Sequence, residues 1–174
     1  MDPSSMALMY FETDMEDILD IFSPLKFENK KYVIIPINDK EDKHQAVGGS
    51  HWALLLYVVG EDYFVYFDSS SGVIPTIYDV ANKVNAVKNK TTKLLDEKTL
   101  KIIHYKNSPK QINSYDCGMY VLSLAEALAE RLLKETKPLD DKAEEFDFVK
   151  PSYITKKRKE IYDLINDLVA KKGK

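Results

Sequence analysis

Two apolar runs, HWALLLYVV and DYFVYFD, are separated only by Gly60-Glu61, and they restrict this chain more than any other stretch. Runs this rich in β-branched and aromatic residues, broken by a turn dipeptide, read as a β-hairpin. They are apolar on both alternating faces, so the hairpin belongs in a sheet covered on both sides. The sheet has material around it. KYVIIPIN, from Lys31 to Asn38, reads as a strand, and LKIIHY, from Leu100 to Tyr105, as a further short one. Helical spacing appears three times. TIYDVANKVNAVK aligns Ile77, Val80, Ala81 and Val84; Asp116 to Glu135 aligns Tyr120, Val121, Leu124, Leu128 and Leu132. Ser152 to Lys171 aligns Ile161, Leu164, Ile165 and Leu168, which are expected to face inward. Thr13-Asp-Met-Glu16 fits a capping box for a short helix ending near Phe22. Strands and helices interleave, but a hairpin excludes a purely parallel sheet. The class is α+β, with a mixed sheet flanked by helices.

No repeat or Gly/Pro/Ser-rich linker divides the 174 residues, so residues 1–174 are read as one domain. A net charge of −3 gives no reason to expect nucleic acid, and Ala53 to Val59, the longest apolar run, is too short for a bilayer. One cysteine cannot form an internal disulfide, and the first residues carry no basic segment of a secretory signal. A cytosolic or nuclear location is therefore expected. KKRK, Lys156 to Lys159, reads either as an import signal or as a solvated helix face.

That single cysteine, Cys117, sits in QINSYDCGMYVL at the junction of a polar turn and a helix. A cysteine used as a small hydrophobe belongs within an apolar face. At a helix start, the dipole and free N–H groups stabilise an anion. The hairpin offers a partner. If Gly60-Glu61 is a two-residue loop, Ala53 lies opposite Asp68, and His51 points to the same face as Asp68. If the loop is Val59-Gly60, His51 lies directly opposite Asp68. Either frame sets an imidazole beside a carboxylate, which can hold its tautomer. Bringing the pair to Cys117 fills the roles of a thiol hydrolase. Gln111, six residues upstream, can offer an amide donor to an oxyanion alongside the Cys117 N–H. Each residue also has a structural reading: His51 as a strand end, Asp68 as a turn residue, Trp52 as core, Cys117 as an inert thiol. The residues alone leave both readings open.

GGSHWALLLY, YFDSSSG and QINSYDCGMYV, in this order and with 17 residues from His51 to Asp68 and 6 from Gln111 to Cys117, resemble the catalytic blocks of the sentrin/SUMO-specific protease family. IPIND and the late PSYITKKRKE bring the chain nearest to the deneddylating members of that family. The resemblance runs from about Tyr32 to the C-terminus. It implies a papain-related ubiquitin-like-protein protease fold with the catalytic cysteine at a helix N-terminus. It implies Cys117 as nucleophile, His51 as general base and acid, Asp68 as orienting carboxylate and Gln111 as oxyanion donor. Trp52, Gly49 and Asn113 would bind substrate, Trp52 as a lid over the modifier's Gly-Gly tail. The polar loop Asp39 to Ser50 would close over the modifier. The implied partners are a ubiquitin-like modifier, that of neddylation first, and its conjugates such as cullins. No cofactor, metal or membrane is implied, and a monomer is expected.

One block of the family has no counterpart here. The Trp-Leu-Asn-Asp segment that supplies the other wall of the tail tunnel is missing upstream of the first strand. Either the chain is shortened at its N-terminus, with weak cleavage expected, or MALMYFETDMEDILDIF substitutes in part. The alternatives are accordingly a modifier-binding module of poor activity and a protease directed at SUMO.

Overall fold

The computed structural model describes residues 1–40, 42, 48–70, 72–134, 139 and 145–172. Residues 41 and 43–47 of the expected polar loop, and the charged loop around position 138, lie outside the described residues. Four strands, β1 (Tyr32–Asn38), β2 (Trp52–Val58), β3 (Tyr63–Phe67) and β4 (Ile102–His104), form one sheet in the order β1-β2-β3-β4. The first two pairings are antiparallel and β3–β4 is parallel. The sheet is mixed, as the hairpin requires. Pro36 lies in β1, an edge strand, where a missing N–H is tolerated.

The β2–β3 register pairs Leu54 with Phe67 and Val58 with Tyr63. This is the frame of the Gly60-Glu61 alternative, but the connection is longer than two residues. Val59 to Asp62 form a four-residue turn closed by the Asp62 N–H on Val58 O at 2.9 Å. Asp62 takes a left-handed φ of 59°, which aspartate tolerates better than most residues. Asn85 Nδ2 donates to its Oδ1 at 3.0 Å and secures it.

Alternation along the hairpin feeds two cores. Ala53, Leu55, Tyr57, Phe64 and Tyr66 point to one face, where α3 (Thr76–Asn89) buries Ile77, Val80, Ala81 and Val84. Leu54, Leu56, Val65 and Phe67 point to the other, against Tyr120, Leu124 and Leu128 of α4 (Cys117–Lys134). Both faces of β2–β3 are thus dry, which explains their unbroken apolarity.

Three details depart from the sequence reading. A helix, α1 (Pro3–Phe11), precedes the expected one; Asp2 caps it by accepting the Ser4 and Ser5 N–H groups. The next helix, α2 (Met15–Phe22), is capped by Asp14 rather than Thr13. Asp14 accepts the Glu16 and Asp17 N–H groups, while Glu12 Oε1 takes the N–H of Thr13 at 2.7 Å. The last helix, α5 (Pro151–Lys172), buries Ile154 but leaves Leu164, Ile165 and Leu168 exposed. Its apolar row does not face inward, because past the first turns the helix has left the α4 surface that covers Ile154.

Candidate active site

His51 immediately precedes β2, and Asp68 immediately follows β3, so the hairpin register brings them to one end of the sheet. His51 Nε2 lies 2.7 Å from Asp68 Oδ1. With Nε2 committed to the carboxylate, Nδ1 is the ring nitrogen left to face a thiol. Asp68 is buried, at 6% exposure, and among the described residues its carboxylate meets the His51 ring, the Ser70 N–H and the Tyr66 hydroxyl. Ser70 N–H shares Oδ1 at 2.7 Å, and Tyr66 Oη donates to Oδ2 at 2.7 Å. Burial pushes the Asp68 carboxyl up, but the hydrogen bonds from Tyr66, Ser70 and His51 outweigh it and hold the group below the usual carboxylate range. The same burial, joined by the Asp68 charge, pushes the Tyr66 phenol well up, so it remains a donor.

The backbone that carries His51 is fastened separately. Asp39 Oδ1 accepts the His51 N–H at 2.9 Å and the Ser50 N–H at 2.6 Å. Asn38 Nδ2 donates to His51 O at 3.0 Å. Gly49 makes room for this: its φ is +81°, and an added Cβ would stand 2.1 Å from Asn38 Oδ1. Gly49 therefore has a local reason to be glycine.

Cys117 is the first residue of α4 and is 6% exposed. Its N-terminal approach is a built turn. Asn113 Oδ1 accepts the N–H groups of Tyr115 at 3.2 Å and Asp116 at 3.0 Å, and Asn113 Nδ2 donates to Asp116 Oδ2 at 2.8 Å. Arg158 of α5 pairs with the other Asp116 oxygen. Gln111 is held at both ends. Its N–H donates to Ser69 O at 2.9 Å, its Oε1 accepts from Ser69 Oγ at 2.6 Å, and its Nε2 donates to Asn113 O at 2.6 Å. A primary amide has two N–H bonds, so one remains for an oxyanion. Ser69 is the residue after Asp68, so the carboxylate and the amide are set from one stretch of chain.

Trp52 is half-buried beside His51, and a Cβ at Gly118 would lie 4.0 Å from its Cδ1. Trp52 and Cys117 line a common, largely apolar cavity of about 590 Å³. Asn113 acts on the turn before Cys117 and Gly49 on the His51 backbone; Trp52 alone among the expected substrate contacts lines the cavity. Sequence reasoning did not find Tyr66, Ser69, Asn38, Asp39 or Arg158. Only Tyr66 left a trace, two residues before Asp68 and therefore on its face of the strand. Among the described residues, no cluster of three or more His, Cys, Asp or Glu side chains could hold a metal ion.

Residues 14–165 match the Ulp1 protease family, C-terminal catalytic domain. The chain is 37% identical over 159 residues to sentrin-specific protease 8 of Homo sapiens, an alignment covering 89% of this chain and 68% of that protein. It is 31% identical over 117 residues to NEDD8-specific protease 1 of Arabidopsis thaliana, covering 67% and 49%. A solved structure, the SUMO protease Ulp1 with its catalytic cysteine oxidised to a sulfinic acid, aligns with a TM-score of 0.48 and 25% identity, over 72% of this chain and 52% of that one. The chain therefore spans 68% of the human relative's length and about half of the plant one.

Proposed function

The chain belongs to the Ulp1 protease family of cysteine peptidases, and from that premise we propose that it cleaves after the C-terminal Gly-Gly of a ubiquitin-like modifier, with NEDD8 as the substrate. Precursor processing and release from lysines of targets such as cullins follow from the same reaction. We place it in the cytosol or nucleus, acting as a monomer. The choice of NEDD8 over SUMO rests on the relatives, among which NEDD8-specific proteases recur.

The observation that carries the reading is the His51 Nε2–Asp68 Oδ1 contact, made at the end of a hairpin whose next residue, Trp52, lines a common cavity with Cys117, the first residue of α4. In the proposed reaction, His51 Nδ1 takes the Cys117 proton as Sγ attacks the carbonyl carbon of the terminal glycine. The new oxyanion receives the Cys117 N–H and the free N–H of Gln111 Nε2. Asp68 stabilises the imidazolium. Collapse breaks the C–N bond, and His51 returns the proton to the departing lysine amine. Water, deprotonated by His51, then attacks the thioester and releases the modifier and the Cys117 thiol.

The test is labelling with C-terminal vinyl sulfone derivatives of NEDD8, SUMO and ubiquitin. The expected result is a covalent adduct with NEDD8 that Cys117→Ala abolishes. Adducts with SUMO alone would move the substrate assignment, and no adduct with any of the three would remove the protease reading.

A further inference from the structure

The chain that follows Asp68 is held by two adjacent residues of another segment. The carbonyls of Asp68, Ser69 and Ser70 all accept from them. Lys110 Nζ reaches Asp68 O at 3.1 Å and also bonds Ser70 O, while the Gln111 N–H reaches Ser69 O at 2.9 Å. Ser69 Oγ adds a bond to Gln111 Oε1 at 2.6 Å. An ammonium carries three N–H donors, so two carbonyls on one turn suit it. The backbone of Lys110 is fixed as well. Its carbonyl accepts from Tyr120 Oη at 3.0 Å, and Tyr120, 1% exposed, lies in the first turn of α4. Lys110 therefore bonds the segment of the carboxylate through its side chain and the helix of the thiol through its main chain.

The two segments joined here are not equally firm. Asp68 directly follows β3, and its carboxylate has its own bonds to Tyr66, Ser70 and the His51 ring. Gln111 lies in the irregular segment between β4 and α4, so bonds to neighbours decide where it stands. An oxyanion donor must be held within about 0.5 Å of its working position. The Gln111 amide spends Oε1 on Ser69 and one N–H bond on Asn113 O, so the direction of its remaining N–H follows the spacing between Gln111 and Ser69. Lys110 sets that spacing. It is itself exposed, so it can be replaced without touching either core.

We propose that Lys110 is a positioning residue for oxyanion stabilisation: by clamping the carbonyls of Asp68 and Ser70, it fixes the Gln111 amide in the frame of His51, Asp68 and Cys117. The proposal rests on the protease reading above.

The test follows turnover of a NEDD8 aminomethylcoumarin amide by the full chain, beside alkylation by iodoacetamide, which needs the thiol but no oxyanion donor. Lys110→Met should lower kcat about 10-fold, since small misplacements at a reacting centre are costly. KM should stay within about 2-fold, the pattern of a lost transition-state interaction. The iodoacetamide rate should also stay within about 2-fold, the range of a surface substitution. Lys110→Arg keeps a cation with several N–H bonds and should recover part of the loss. Lys106→Met makes the same change of charge at another exposed position of the segment and should leave kcat within about 2-fold. In a Gln111→Ala background, Lys110→Met should cost at most about 2-fold more, because the donor it places is gone. Should Lys110→Met fail to fold by circular dichroism, Lys110→Ala carries the same comparison. A folded Lys110 variant with wild-type kcat overturns the proposal. So does an undiminished further loss in the Gln111→Ala background, or an equal fall in the iodoacetamide rate. A wild-type chain that alkylates normally but cleaves no amide and ignores the NEDD8, SUMO and ubiquitin probes overturns the protease reading, and the positioning role with it.

Discussion

Tyr66 donates its phenolic proton to the carboxylate two residues ahead on the same face of the chain, with Oη 2.7 Å from Asp68 Oδ2. The Ile74 N–H donates to that Oη at 3.2 Å, so the single phenolic proton is directed at Asp68. Tyr66→Phe removes the donor, leaves Oδ2 buried without a partner and frees the carboxylate to turn away from His51. We expect kcat to fall about 10-fold with KM little changed, the pattern of a lost transition-state interaction. In an Asp68→Asn background the same substitution should cost no further activity. Independent, additive losses in that cycle would show that Tyr66 does not act through Asp68.

Acid should unfold the chain partly through Asp68. Its carboxyl lies below the ordinary range in the folded state. A depressed folded value contributes stability that is complete above the unfolded value, about 3.9, and is lost as pH falls through the folded value. The difference in urea unfolding between wild type and Asp68→Asn should therefore be present above about pH 4 and shrink as pH falls below it. A difference that widens as pH falls below about 4 would contradict the sign.

Gln111→Ala should lower kcat by about 10² to 10³, the range for loss of an oxyanion donor. Binding of the modifier to a Cys117→Ala background should not change, because the amide meets charge only in the transition state. Equal losses in binding and turnover would place Gln111 on the docking surface instead.

Gly49→Ala combines an unfavourable φ of +81° with a Cβ driven into Asn38 Oδ1. Asn38 would have to release His51 O and the Lys40 N–H, which it binds at 3.0 Å each. We expect a destabilisation above about 1 kcal/mol by denaturant titration, together with loss of turnover. Gly60→Ala, whose added Cβ meets nothing within 4 Å, is the control and should stay within about 0.5 kcal/mol. Equal effects at the two glycines would refute the close-approach argument.

Local pattern made much of this fold legible. Continuous apolar strands announce burial on both faces, and the parity of the turn sets His51 and Asp68 on one side whichever even frame is chosen. The polar preface NSYD followed by a helical period put Cys117 at a helix start. The residues that hold these groups could not be found this way. Ser69, Asn38 and Asp39 act through contacts across 11 to 42 positions of chain, and no short-range rule distinguishes them from ordinary turn residues. Helix α1 escaped because apolar side chains surround it, leaving no 3.6-residue contrast to detect. The inward face expected for α5 failed for a complementary reason. Periodicity shows that one side of a helix is apolar and is silent on what that side meets.

The division of the hairpin between two cores has a consequence in time. The imidazole and carboxylate come together as soon as β2 and β3 pair, an event local in sequence. The thiol arrives only when α4 seats against Leu54 and Leu56 on the opposite face, and the first face is covered only when α1 and α3 close over it. A nascent or partly unfolded chain therefore carries the parts of a protease without a protease, and peptide cleavage becomes a reporter that both layers have formed.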